Sequence, residues 1–177
     1  MKSKVIALSA ISSAFIALFL TLGAYVTFID LISVVFASAF TVLPLYYKSF
    51  TGSFLSFLAG GIIAFLFSGF NVYSLVFPAF FFFFGCYPII KSIFTEKNFN
   101  KVLSIIIGLI WCVAFSYGLY FYYVFFMKMQ LTDFPETIIR YIYFFIPVFA
   151  VILFIIFDRF IVAVKMVEDR YLKRIIK

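Results

Sequence analysis

The chain has 177 residues, 67% hydrophobic and 12% charged, with a mean hydropathy of +1.22 and a net charge of +7. Soluble domains average about 45–50% apolar and about 25% charged, so a water-soluble fold of this size has nowhere to hide side chains that include 30 Phe. The basic balance would point to nucleic acid in a soluble chain; in one this apolar it reflects Lys and Arg retained on one side of a bilayer, and no nucleic-acid partner is expected.

A helix needs about 20 apolar residues to cross roughly 30 Å of hydrocarbon. The apolar runs predict spans over 4–28, 31–47, 50–68, 72–90, 102–126 and 137–157. The expected fold is therefore an all-α membrane protein, a bundle of six transmembrane helices forming one integral membrane domain over 1–177, with a basic tail over 158–177. The runs are continuous, whereas barrel strands would alternate in short segments. The first run begins with Met1-Lys-Ser-Lys4, like a signal peptide. From Val5 to Phe28, however, it exceeds the usual hydrophobic region of about 7–15 residues and lacks a small-x-small cleavage site, so it reads as the first transmembrane helix.

Small residues recur along this and later spans: Ala7, Ala10, Ser13, Ala14 and Ala17 on the first, and Ser33, Ala37 and Thr41 on the second. Gly52, Ser56, Gly60, Ala64 and Ser68 follow on the third. Such positions let helix backbones approach closely, either inside the bundle or against a partner. The second and third spans are the shortest, and their break at Lys48 is thin, so a merged or re-entrant segment competes with two spans there. Phe80–Phe84 in the fourth span is lipid-facing or packing bulk. The fifth carries Ser104, Gly108, Cys112 and Ser116. Lys165–Lys177 is expected to continue the last helix beyond the membrane, with Asp169 and Lys173 spaced i,i+4 in the favourable order. Its basic residues suit either anionic lipid or an ordinary stop-transfer flank.

Lys2, Lys4, Lys48, Lys91, Lys97, Lys101, Arg159, Lys165, Arg170, Lys173, Arg174 and Lys177 fall on one side of this topology, and only Lys128 and Arg140 on the other. The positive-inside rule then puts both termini in the cytoplasm of a multi-pass cell-membrane protein. The outer breaks are Thr27–Asp30, Gly69–Asn71 and Lys128–Glu136.

No Asp, Glu, Lys or Arg lies near the middle of any span, and the chain has no His. Burying a charge at the bilayer centre costs on the order of 3 kcal/mol or more and is kept where function demands it, as in proton relays and ion sites. An ion-driven pump is therefore disfavoured, and an intramembrane protease lacks its Ser/His pair, its two Asp or its zinc ligands. No Gly-rich phosphate loop ending in Gly-Lys-Ser/Thr occurs. Cys86 and Cys112 lie in apolar runs without Cys-x-x-Cys spacing and read as small packing residues. No catalytic residue, metal or cofactor is expected.

What remains is an outer cluster of Asp30, Asn71, Tyr73, Asp133, Glu136, Arg140 and Tyr143, with Trp111, Ser116, Tyr117 and Tyr120 deeper on the fifth span. Arg140, about one turn into the last span, should snorkel or pair with a residue such as Glu136. A pocket opening outward between the fourth, fifth and sixth spans would use these groups to orient a small organic ligand. The competing reading is the aromatic belt of any membrane protein, for which Trp111 lies too deep.

The chain resembles, over essentially its whole length, the S components of energy-coupling factor (ECF) transporters, the substrate-binding membrane subunits of vitamin and micronutrient importers. The resemblance rests on size, six spans, the Ala-rich run Ala7-Leu-Ser-Ala10-Ile-Ser-Ser-Ala14-Phe-Ile-Ala17, and the glycine-rich run from Gly52 to Gly69. It also rests on Phe84-Gly-Cys-Tyr-Pro-Ile-Ile-Lys91, similar to the end of the fourth helix in clostridial-type members. It implies capture of substrate from outside, in a cavity built from outer loops and the last three helices. It also implies docking, through the small face of the first helices, onto a transmembrane coupling subunit powered by an ATPase pair. The S component would then topple in the membrane to release substrate inside. Carried over, Ala10, Ala14 and Ala17 form the docking face, with Ser9, Ser12 and Ser13 as departures. Asn71, Trp111, Tyr117, Tyr120 and Arg140 are the substrate-binding candidates by position. Cobalt and nickel members use an N-terminal His, absent here, so an organic substrate is implied. A second resemblance, in length, span number and glycine pattern, is to the rod-shape-determining MreD family, which would make the chain a non-transporting interaction protein of cell-wall synthesis. A small membrane assembly scaffold is a third possibility.

Overall fold

The computed structural model describes residues 2–71, 74–126 and 136–175, with the side chains of residues 2, 27, 126, 136–140, 169 and 171–175 outside the description. Among the described residues every regular element is helical: α1 (Lys2–Tyr25), α2 (Asp30–Phe40), α3 (Phe50–Phe67), α4 (Val76–Ala79), α5 (Cys86–Glu96), α6 (Lys101–Phe126) and α7 (Glu136–Ile175). Short 3-10 turns cover Thr27–Ile29 and Leu43–Tyr47, and a π turn over Phe80–Phe84 joins α4 to α5. Six helical stretches are long and apolar enough to cross a membrane: Ser3–Tyr25, Asp30–Tyr47, Phe50–Phe67, Val76–Glu96, Lys101–Phe125 and Tyr141–Glu168. This is a multi-pass membrane protein.

The break at Lys48 separates two spans. Pro44 sits in the first turn of the 3-10 segment, and Lys48 ends it in the left-handed conformation, at φ 54°. Ser49 then caps α3, its hydroxyl accepting from the Gly52 amide at 3.1 Å. At its other end α3 stops in two consecutive left-handed residues, Gly69 and Phe70.

The fourth and last spans depart most from their expected limits, 72–90 and 137–157, being found over Val76–Glu96 and Tyr141–Glu168. Val72 and Tyr73 of the fourth span lie outside the described residues; its helix begins at Val76, whose amide donates to the Ser74 hydroxyl at 3.3 Å. Its helix then continues to Glu96. Lys91 does not end it, because a charged head can leave the bilayer while its stem stays on the helix, and its ammonium lies 5.8 Å from the Tyr87 ring one turn back. The last helix likewise runs on to Ile175, as expected of the basic tail.

Contacts group the chain into two compact units, Met1–Phe99 with Arg159–Lys177, and Asn100–Asp158. In the first unit α1 and α3 run parallel. A side chain at Gly52 would meet Ser9 and Val5, one at Gly60 would meet Ile16 and Ser13, and the Tyr25 hydroxyl donates to the Phe67 carbonyl at 2.8 Å. Helix α2 runs antiparallel to α1, with Phe15 stacked on Phe40 at 4.7 Å and Phe19 on Phe36 at 5.7 Å. The fourth span runs antiparallel to α3 through two reciprocal placements of a ring on a glycine. Phe81 covers Gly61, and Phe57 covers Gly85. The π turn closes beneath them, with the Gly85 amide donating to the Phe80 carbonyl at 2.8 Å. The last part of α7 joins this unit, where Phe160 meets the Phe36 ring edge-on at 6.2 Å.

These pairings bring the Lys4 end of α1, the Lys48 turn and the Lys91 end of the fourth span to one end of the first unit. The core between them is formed by Ile16, Leu20, Val34, Ala37, Phe57, Ala64, Phe80, Phe83 and Phe84, all buried. The small residues of the second and third spans, Ser33, Ala37, Thr41, Gly52, Ser56, Gly60, Ala64 and Ser68, are all buried, so both stripes serve packing inside the protein. The Ser53 hydroxyl donates to the Thr41 carbonyl and ties α3 to the chain leaving α2.

The second unit is an antiparallel pairing of α6 with α7. The Tyr117 hydroxyl donates to the Tyr143 carbonyl at 2.8 Å, and the Cys112 thiol lies 3.5 Å from the Ala150 carbonyl. Gly108, Cys112 and Ala150 are buried there, as are Phe154 and Phe157.

Candidate functional site

The first unit carries an apolar groove along α1 and α3, about 720 Å³ in volume, whose walls include Ala14, Leu18, Leu22, Ile63 and Phe67. Ala17 is buried and forms its floor; Ala14 lies exposed at its side and Ala10 exposed one turn earlier. The groove's small residues, Ser13, Ala14 and Ala17, are on α1, whereas α3 contributes the larger Ile63 and Phe67. With glycine at position 60, Ile16 can press against the α3 backbone, and a Cβ there would lie 2.6 Å from the Ile16 side chain and 2.9 Å from the Ser13 carbonyl oxygen.

Three hydroxyl side chains line the groove, and two of them, Ser13 and Thr21, fold back on their own helix. Ser13 donates to the Ala10 carbonyl at 2.9 Å and Thr21 to the Ala17 carbonyl at 2.6 Å. The surface they leave is apolar, of a size that accommodates a side-chain ridge of another helix or a small apolar body. Tyr25 closes one end, held by its bond to the Phe67 carbonyl near the end of α3. Sequence reasoning missed Tyr25; the available signal was a tyrosine in the last turn of α1, where the rings of interfacial residues keep one polar tip.

The substrate-binding candidates are divided. Asn71 belongs to the first unit, half-buried, directly after the left-handed pair Gly69 and Phe70. Trp111, Tyr117 and Tyr120 lie on α6 in the second unit, each half-buried. Arg140 lies in the first turns of α7, and its side chain is outside the described residues, as is that of Glu136. Tyr73, Lys128 and Asp133 fall outside the described residues altogether.

Within the second unit the structure brings Tyr117, Tyr120 and Tyr143 together. The Tyr143 ring meets Tyr120 edge-on at 5.6 Å, while its carbonyl takes the Tyr117 hydroxyl. Ser116 turns back to the Cys112 carbonyl at 2.9 Å. Tyr117 thus offers a ring wall, its hydroxyl being committed to backbone. Tyr143 was grouped with the outer polar residues in the sequence, but its contact with two α6 tyrosines was not legible from spacing alone. Among the described residues no three His, Cys, Asp or Glu side chains converge on one point.

Compared with known proteins, the chain matches no family model, no curated protein and no solved structure. The groove and the tyrosine cluster are therefore interpreted from their own chemistry. One is an apolar surface at bilayer depth with no charge in its lining; the other is an aromatic group whose polar atoms face backbone and neighbouring rings.

Proposed function

We propose that the protein is the substrate-binding membrane subunit of an ATP-driven importer. In this reading it takes a small organic molecule from outside and docks on a transmembrane coupling subunit driven by an ATPase pair. The observation that carries the reading is the α1–α3 groove. Two of the three residues that the ECF resemblance assigns to docking, Ala14 and Ala17, line it, and the third, Ala10, lies exposed beside it. An uncharged, small-residue groove at bilayer depth is the surface that lets a partner helix pack closely without lipid between.

Both termini are cytoplasmic in this reading. Support comes from the positive-inside rule together with the gathering of the Lys4 end, the Lys48 turn and the Lys91 end at one end of the first unit. The ligand is assigned to the second unit, with Trp111, Tyr120 and Arg140 and the ring of Tyr117 as its contacts. The protein supplies binding and docking, and the partner supplies the energy.

The test is ligand-dependent stabilisation of the purified full chain across a panel of vitamins and related small organic molecules, with native mass spectrometry of the protein as isolated. A true ligand at a hundred times its Kd stabilises by about 2.7 kcal/mol. No stabilisation by any member, with cell-wall synthesis proteins co-purifying, would overturn the importer reading and assign the groove to an MreD-like assembly.

A further inference from the structure

Helix α7 carries Pro147 inside its membrane-crossing stretch. Proline has no amide hydrogen, so the carbonyl four residues earlier, that of Tyr143, loses its intrahelical donor. In hydrocarbon no water is present to replace that donor, and proline is tolerated in spanning helices where a neighbouring side chain re-satisfies the freed group. Here the neighbour is identified. The Tyr117 hydroxyl on α6 donates to the Tyr143 carbonyl at 2.8 Å.

The surrounding contacts make this more than an isolated bond. The ring of Tyr143 rests edge-on against Tyr120, one turn along α6 from Tyr117. On the other side of the proline, the buried Cys112 thiol lies 3.5 Å from the Ala150 carbonyl. Helix α6 therefore holds α7 both before and after Pro147. The contact before it is a hydroxyl bond to the one carbonyl that the proline orphans, and the contact after it is a weaker thiol bond to a carbonyl in unbroken helix.

We propose that Tyr117 is the latch of a proline hinge in α7. With the bond made, α7 stays helical through Pro147 and its earlier turns remain paired with α6. With the bond broken, the Tyr143 carbonyl is unpaired and the turns before Pro147 are free to swing about it. The inference does not depend on the transport reading, since it concerns only how α6 and α7 are held.

The test is a double-mutant cycle on the full chain in lipid nanodiscs, using Tyr117→Phe, Pro147→Ala and both together. Thermal unfolding and hydrogen exchange of the amides of residues 148–151 are the two readouts. Tyr117→Phe keeps the ring and removes only the donor, and is expected to lower Tm by on the order of 3–8 °C and to speed exchange about tenfold. Pro147→Ala restores an amide donor to the Tyr143 carbonyl, so in that background Tyr117→Phe should cost less than half as much and exchange should return to within about twofold of wild type. If Tyr117→Phe fails to accumulate, recovery of folded protein by adding Pro147→Ala supports the latch and no recovery overturns it. Equal losses with and without Pro147, or no loss from Tyr117→Phe, would also overturn it, because a merely structural tyrosine is indifferent to the proline.

Discussion

The two units of this protein hold their helices by different means. In the first, backbones come close because side chains are missing: Phe81 lies on Gly61, Phe57 on Gly85 and Ile16 against Gly60. In the second, α6 and α7 are joined by side-chain donors reaching backbone carbonyls, Tyr117 to Tyr143 and Cys112 to Ala150. Burial is highest in the fourth span, at 61% of its 18-residue apolar window, and lowest in the fifth, at 11%, with the first and last equal at 22%. Between apolar helices in lipid there is no hydrophobic gain to be had from association, so packing and hydrogen bonds are the two available sources of adhesion. Each unit relies chiefly on one of them, which makes their sensitivities to substitution different in kind.

The largest effect is expected where a glycine is pressed against another backbone. Gly60→Leu must displace Ile16 and the Ser13 carbonyl, which a flexible side chain cannot do by rotating away, and should destabilise by on the order of 3 kcal/mol in reversible unfolding. A loss under about 1 kcal/mol would mean that the α1–α3 seam is looser than its contacts indicate. Next comes Tyr117→Phe, at roughly 1–3 kcal/mol, with the dependence on Pro147 described above. Ser49→Ala should cost about 1 kcal/mol, since it removes the side-chain N-cap of α3 while the left-handed Lys48 still ends the preceding turn. Retention of full stability would show that the break between the second and third spans does not need its cap. The smallest effect is at Gly118, where an added Cβ meets nothing within 4 Å. Gly118→Ala should be neutral or stabilise by up to about 1 kcal/mol through helix propensity. Opposite outcomes at Gly60 and Gly118, the same residue type in the two units, would sharpen the comparison; similar outcomes would break it.

Much of the fold was legible in the sequence for a physical reason. Hydropathy and length decide whether a helix crosses a bilayer, and six apolar runs gave six membrane-competent helical stretches. The small-residue stripes of the second and third spans marked close helix approach in the sequence, and burial of Gly52, Gly60 and Ala64 decides between bundle and partner in favour of packing inside the protein. The end of the fourth span was not legible, because a lysine such as Lys91 marks where a side chain reaches water, not where a helix stops. The π turn over Phe80–Phe84 was hidden for a related reason: a run of identical rings carries no periodicity to betray a change of helical register. At the candidate sites, Ala10 and Ala14, which the ECF resemblance assigns to docking together with Ala17, are exposed on α1, whereas Ala17 is buried. Tyr117 read as a ligand contact, yet its hydroxyl serves a carbonyl orphaned by a proline 30 positions later in the chain, a long-range pairing that no local spacing encodes.

The central claim is that α1 presents a docking face separable from ligand binding. The most direct measurement replaces Ala10 and Ala14 together by Leu, then compares ligand-dependent stabilisation of the purified chain with its association with the membrane partner isolated alongside the wild type. Both positions are exposed, so bulk there fills the docking surface without entering the core. The account predicts that ligand binding is kept within about twofold while partner association falls at least tenfold, a difference of about 1.4 kcal/mol or more. Loss of ligand binding with association intact would contradict it, placing the first helix inside the binding machinery and the docking surface elsewhere.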